Sequence, residues 1–172
     1  MLSRRARYAA AYHHAVSTHQ RAGAVIVTVG AALLVLGTFS TWLRSGATDR
    51  SSYEVFDLVD RLGFSEGGLV GWALRLWPLV PLLVVLAVIA WWYPSARPAW
   101  TATRVTLTLL ASLYAGGVAV AVSNAPDVAL FSIGHGPTVT IVGGCVMCVG
   151  MGVGLFPSGG VSATRRERAT RP

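Results

Sequence analysis

The chain has 172 residues, of which 53% are apolar and 12% charged, whereas soluble domains carry about 25% charged residues. The net charge of +7 could suit a nucleic-acid partner, but the basic residues flank long apolar runs and form no soluble basic face. Composition thus excludes an ordinary soluble domain and a nucleic-acid-binding protein. It predicts an integral membrane protein in contact with the lipid bilayer.

Four apolar stretches are long enough to be membrane-spanning helices, since about 20 residues cross a hydrocarbon core of ~30 Å. We predict spans at about 22–43, 69–93, 105–122 and 138–156 within a transmembrane domain covering 22–156. The expected fold is an all-α membrane protein, a four-transmembrane-helix bundle. A basic segment, 1–21, precedes it, and a disordered Arg-rich tail, 157–172, follows it.

The basic residues predict the orientation of the spans. All 14 are Arg, and most fall before span 1, between spans 2 and 3, or after span 4. The other two connectors carry few Arg and most of the acidic residues. The positive-inside rule therefore places both termini in the cytoplasm of a plasma membrane.

Aromatic residues near the predicted span ends favour the headgroup level, because their rings are apolar with one polar edge. Trp42 and Trp77 are expected at the outer interface. Trp91, Trp92 and Tyr93 are expected at the inner interface.

Small residues recur at helical spacing in spans 1 and 4. In lipid, apolar burial does not drive helices together, so close contact between small side chains has to do so. We predict helix-packing positions at Gly23, Gly30, Gly37, Gly144, Cys148 and Gly152, and Gly150 with Gly154 forms a GxxxG pair. These faces can meet within one chain or between chains.

Span 2 contains a charge and two prolines near its outer end. Pro78 and Pro81 remove backbone donors and predict a kink. Arg75 either extends its charged end to lipid phosphate or lies inside the bundle, where it would bind an anion or pair with an acid. The three residues mark a candidate polar cavity or lipid-headgroup site.

The first outer connector predicts a short amphipathic helix from Ser52 to Leu62. Ser51 or Ser52 followed by Glu54 fits a capping box, and Asp57 and Arg61 have ion-pair spacing. This helix is either a lid over the bundle or a docking surface for a partner. The candidate docking residues are Tyr53, Glu54, Asp57, Asp60 and Arg61.

Cys145 and Cys148 form a CxxC motif that resembles the redox pair of DsbB and vitamin K epoxide reductase, which are also four-helix membrane enzymes. That resemblance would imply a thiol-redox activity. The chain has only two Cys, however, so the second pair of those enzymes is absent, and the motif lies inside span 4. No other catalytic motif, facing His pair or intramembrane acid is present, so we expect no enzyme, cofactor or metal.

Over about 20–157 the chain resembles small four-span membrane proteins common in actinobacteria. The resemblance rests on the segment Thr41–Gly46 after span 1 and on Gly134-His-Gly-Pro137 before span 4. It implies an architecture and no catalytic residues. We therefore expect an accessory or assembly subunit of a larger cell-envelope or transport complex, in contact with another membrane protein or with its own copies. The alternatives are a small oligomeric pore or transporter and, third, a thiol-redox enzyme.

Overall fold

The computed structural model describes residues 4–45, 47–61, 71, 75–93, 98–124 and 132–156. A short 3-10 helix, Trp77–Leu79, directly precedes the α-helix that begins at Val80. The α-helices are α1 (Arg4–Phe39), α2 (Ser52–Arg61), α3 (Val80–Trp92), α4 (Pro98–Ser123) and α5 (Gly136–Leu155). The strands are β1 (Thr41–Ser45), β2 (Thr48–Ser51) and β3 (Ser132–Ile133).

Three helices are long and apolar enough to cross a membrane: the stretch Thr18–Phe39 of α1, then α4 and α5. They correspond to predicted spans 1, 3 and 4. The apolar stretch Trp77–Trp92, in predicted span 2, is shorter. The chain is thus a mostly helical protein with three helices of spanning length and one shorter apolar helix.

The ends of span 1 differ from the prediction. The backbone of α1 is helical from Arg4, so the basic segment 1–21 is continuous with the span over the described residues. The helix ends at Phe39, before the predicted Leu43, and the Ser40 amide and hydroxyl both donate to the Leu36 carbonyl in its last turn. The chain then turns directly into β1. The tail 157–172 lies outside the described residues.

The expectation of an all-α chain is wrong in one place. Strands β2, β1 and β3 form a small antiparallel sheet in that order. The sheet joins the two connectors on the same side of the bundle, since Leu43 pairs with Ile133 and the Gly134 amide donates to the Trp42 carbonyl over 3.0 Å. Strands this short leave little periodicity in the sequence. We call the sheet and α2 the cap.

The four apolar helices contact each other in a closed ring. Helix α1 packs against α3 and α5, and α4 packs against the same two helices. The tightest interface is between α1 and α5. A Cβ on Gly23 would lie 2.6 Å from the Gly154 Cα, and one on Gly30 would lie 2.8 Å from the Gly143 carbonyl oxygen. Backbone therefore meets backbone, within one chain, along this interface.

The glycines of α5 that face α1 include the GxxxG pair, Gly150 and Gly154, but not the predicted stripe that begins at Gly144. Gly143, Gly150 and Gly154 contact α1, together with Met147. The predicted stripe of Gly144, Cys148 and Gly152 is turned away from α1 because each residue advances the helix by about 100°. A Cβ on Gly144 would instead lie 3.5 Å from the Ser112 carbonyl oxygen of α4, and no described atom lies within 4 Å of a Cβ on Gly152.

Candidate functional site

The cap is fixed to the bundle through Ser52, the first residue of α2. Its side chain is fully buried. The hydroxyl donates a hydrogen bond to the Thr38 carbonyl at the end of α1, over 2.6 Å, and accepts one from the Trp77 indole over 3.0 Å. One hydroxyl thus links α1, α2 and the segment before α3.

Helix α2 begins as the capping pattern predicts. The Ser51 amide donates to the Glu54 carboxylate over 2.7 Å, so an otherwise unpaired donor at the helix start is satisfied. The Asp57–Arg61 pair forms at 2.8 Å, with both side chains exposed. The helix ends at Arg61, and the predicted last residue, Leu62, lies outside the described residues.

Three aromatic rings connect α2 to the sheet and to the 3-10 helix. The Phe56 and Trp77 ring centroids are 4.9 Å apart, those of Trp42 and Trp77 are 5.3 Å apart, and all three pairs meet edge to face. Edge-to-face contacts between buried rings add stability beyond the burial of their area. They hold the inner side of α2 in place and leave its charged side exposed.

A cleft of about 230 Å³ lies between α2 and the start of the third apolar helix. We call it the α2 cleft. Among the described residues, its walls contain two carboxylates, one guanidinium, three aromatic rings and a proline, from Tyr53, Phe56, Asp57, Asp60, Arg75, Trp77 and Pro78. The Tyr53 hydroxyl is buried and has no hydrogen-bond partner within the described part of the chain.

A second, shallower cleft of about 330 Å³ borders the opposite side of α2. It is lined by Thr48, Arg50, Glu54, Asp57, Leu58 and Arg61. Asp57 belongs to both clefts, so the exposed face of α2 forms a charged ridge between two concave surfaces.

The structure brings together two sites that the sequence treats separately. Of the candidate docking residues, Tyr53, Asp57 and Asp60 line the α2 cleft with Arg75 and Pro78 from the candidate polar cavity. The remaining docking residues, Glu54 and Arg61, line the second cleft.

The two prolines lie near the start of predicted span 2, where the helical residues Arg75 and Leu76 continue through a 3-10 turn into α3. Pro78 lies in the 3-10 helix, and Pro81 lies in the first turn of α3, where the missing amide donor has no partner to lose. Arg75 is exposed. Its place in the cleft is at the cap end of the helix and outside the bundle interior.

Three of the five aromatic residues expected at the interfaces are buried inside the protein. Trp42, Trp77 and Trp91 are at most 3% exposed, while Trp92 is 54% exposed. Each buried indole N–H has an internal acceptor: the Gly37 carbonyl for Trp42, Ser52 for Trp77 and the Thr108 hydroxyl, at 2.9 Å, for Trp91. The polar atoms of these three indoles are therefore satisfied inside the protein.

Arg104, one of the Arg residues between spans 2 and 3 that predict the orientation, is 3% exposed. Its guanidinium donates to the carbonyls of Ala90 and Tyr93 at the end of α3, and it lies 5.7 Å from the Trp91 ring centroid. With its amide oxygen turned toward the guanidinium, Gln20 of α1 also accepts hydrogen bonds from Arg104. A cation at a helix C-terminus satisfies the last carbonyls and the helix dipole.

The cysteines of the CxxC motif are free thiols within α5. Cys145 is exposed on the outside of the bundle and Cys148 is half-buried. Among the described residues, no three His, Cys or acidic side chains come together to hold a metal ion.

Comparison of the chain with protein-family models, with curated proteins and with solved structures finds no match. The function has to be argued from the geometry of the cap and the bundle.

Proposed function

We propose that the chain is a four-span plasma-membrane protein that acts as an accessory or assembly subunit of a larger cell-envelope or transport complex. In this proposal both termini lie in the cytoplasm, and the cap faces outward. The protein is not an enzyme. It binds another membrane protein through the charged ridge of α2.

The segment that completes the four spans in this proposal is predicted span 2. It consists of Trp77–Trp92, preceded by the helical residues Arg75 and Leu76. Sixteen helical residues extend about 24 Å, so a ~30 Å core would thin locally or Arg75 would extend to the headgroups. The surface of this helix supports the proposal. Leu82, Val85, Leu86 and Ile89 are all more than 40% exposed, and an apolar face of this kind needs lipid around it.

The docking role is supported by the way α2 is attached. Its inner side is fixed to the bundle, and its outer side presents an exposed charged surface. Ser52, Phe56 and the capping Glu54 fix the helix, so little conformational freedom remains for a partner to remove on binding. The ridge presents Asp57 and Arg61 between two concave surfaces. Charge patterns of this kind give an interface its specificity.

The structure of the bundle gives less support to a pore. Backbone contacts between α1 and α5 leave no room for a water path between those two helices. The polar α2 cleft is at the cap end. The proposal of an accessory subunit is therefore tested first, through a search for a protein partner.

The test is a mild-detergent pull-down of the tagged chain at native expression, with mass spectrometry and sizing of the eluate. We expect a stoichiometric larger membrane protein. A variant carrying Arg61→Gln and Asp57→Asn should recover less of it, while a variant carrying Arg44→Gln and Asp49→Asn in the hairpin, which neutralises a comparable exposed pair outside α2, should recover as much as the wild type. A homo-oligomer with no partner would overturn the proposal, and flux assays in liposomes would follow.

A further inference from the structure

The α2 cleft has charges of both signs over an aromatic wall. Asp57 and Asp60 stand on α2, and Arg75 stands on the opposite side. Arg75 would repel a simple cation, and the two carboxylates would repel a simple anion. A complementary ligand therefore carries one positive and one negative group.

The side chains in the cleft walls indicate which positive and negative groups the ligand carries. A guanidinium binds phosphate through two parallel hydrogen bonds. Carboxylates accept hydrogen bonds from an ammonium group, which aromatic faces such as those of Phe56 and Trp77 also attract. Asp57 already pairs with Arg61, but that pair is exposed and therefore weak, so it does not compete strongly with a ligand amine.

An exposed apolar stripe continues from the cleft along the helix. Leu79, Leu82 and Leu86 follow Arg75 at i+4, i+7 and i+11, which places them on one helical face. Their side chains are 46%, 54% and 41% exposed. A ligand whose phosphate lies at Arg75 would therefore have apolar surface directly below it, where acyl chains can lie.

From these features we infer that the α2 cleft binds the headgroup of an amine-bearing zwitterionic phospholipid from the leaflet at the cap end. Arg75 holds the phosphate, Asp57 and Asp60 hold the ammonium group, and the leucine stripe contacts the acyl chains. The site shares Asp57 with the docking ridge, but lipid binding requires no protein partner. It would fix the depth of the cap on the membrane surface.

The test uses native mass spectrometry to measure the binding of three lipids to the full chain in detergent. The lipids are phosphatidylethanolamine, phosphatidylglycerol and phosphatidylcholine. We expect phosphatidylethanolamine to bind at least about tenfold more tightly than phosphatidylglycerol, which lacks the amine; tenfold converts to about 1.4 kcal/mol. Phosphatidylcholine should bind more weakly than phosphatidylethanolamine, because its quaternary amine donates no hydrogen bonds.

Two variants separate the two halves of the site. Arg75→Gln should weaken the binding of phosphatidylethanolamine and phosphatidylglycerol alike, by about tenfold, because both carry the phosphate. A variant with Asp57→Asn and Asp60→Asn should weaken only phosphatidylethanolamine. Equal loss of both lipids in the Asp variant, or no loss in Arg75→Gln, would overturn the assignment.

The lipid source is tested with glycerophosphoethanolamine, which has the headgroup without acyl chains. It should bind far more weakly than the lipid; equal binding would show a soluble ligand site and overturn the lipid assignment. Leu82→Ala should weaken lipid binding, whereas Leu113→Ala, at an exposed leucine of α4, should not. All these leucines, Asp and Arg75 are exposed on the surface, so circular dichroism and thermal unfolding should show folded variants.

Failure of this site and failure of the docking proposal give different results. Arg75→Gln should lose lipid and keep the protein partner. Arg61→Gln, whose side chain lines only the second cleft, should do the reverse.

Discussion

The indole of Trp77 donates a hydrogen bond to the hydroxyl of Ser52 across 25 residues of sequence, and both side chains are fully buried. Because Ser52 also donates to Thr38, the cap and the bundle share one small polar contact within an apolar region.

Ser52→Ala should therefore destabilise the protein by about 1–3 kcal/mol, because it leaves the buried Trp77 N–H and the Thr38 carbonyl unpaired. The measurement is unfolding by SDS in mixed micelles. The control is Ser40→Ala, whose less buried hydroxyl bonds only to the preceding turn of its own helix. Equal stability of the two variants would show that the Ser52 contact contributes little.

The glycines supply a second matched pair. Gly30→Ala should cost about 1–3 kcal/mol, since its Cβ would lie 2.5 Å from the Met147 nitrogen and force α1 and α5 apart. Gly117→Ala should be neutral or stabilising by up to about 1 kcal/mol, because no described atom lies within 4 Å of that Cβ and Ala favours a helix. The same unfolding assay compares them. Equal losses in both variants would contradict a close α1–α5 interface.

Arg104 and Arg21 differ in what they bind, although both count as basic residues at the same end of the bundle. Arg104→Gln should cost about 1.5–3 kcal/mol, because charged hydrogen bonds to the end of α3 are lost. Arg21→Gln removes the same charge from an exposed side chain and should leave unfolding unchanged. A topology reporter fused after α5 tests whether Arg104 instead sets the orientation of the chain in the membrane. If Arg104→Gln inverted the chain without changing stability, its role would be orientation.

The sheet should respond to acid. The Arg44 guanidinium hydrogen-bonds to Asp49 over 2.6 Å and holds the pKa of that carboxyl below its ordinary value of 3.8. A lowered pKa stabilises the fold at pH above 3.8, and this contribution is lost as pH falls through the folded-state pKa. Both side chains are exposed, so the effect should be local and small.

Proteolysis of the hairpin as a function of pH measures this effect. Cleavage between β1 and β2 should increase below about pH 4 in the wild type. In Arg44→Gln it should already be raised at neutral pH and depend less on acid. A wild-type profile identical to that of the variant would contradict the pair's role.

The sequence predicts features that depend on neighbouring residues. The start of α2 follows from Ser51 and Glu54, three residues apart, and Pro137, before predicted span 4, lies at a helix start that favours proline. Glycines at intervals of seven on α1 indicate one close-packing face in the same way.

Features that depend on distant residues could not be predicted. Trp77 is buried because its partner, Ser52, lies on another element, and Arg104 is buried because α3 ends beside it. Strand β3 has two residues, too few for any alternation, and is defined only by its pairing with β1. The α2 cleft likewise exists only because the chain returns Arg75 to the side of Asp57 and Asp60.

The pairing of β1 with β3 also has a consequence for biogenesis. β1 directly follows α1, whereas β3 directly precedes α5, so the sheet is completed only when the final described helix reaches the membrane. The glycine face of α1 is likewise covered only when the same helix packs against it. A nascent chain that has inserted only α1 to α4 therefore has both an open sheet edge and an unfilled glycine groove, and the arrival of α5 closes them together.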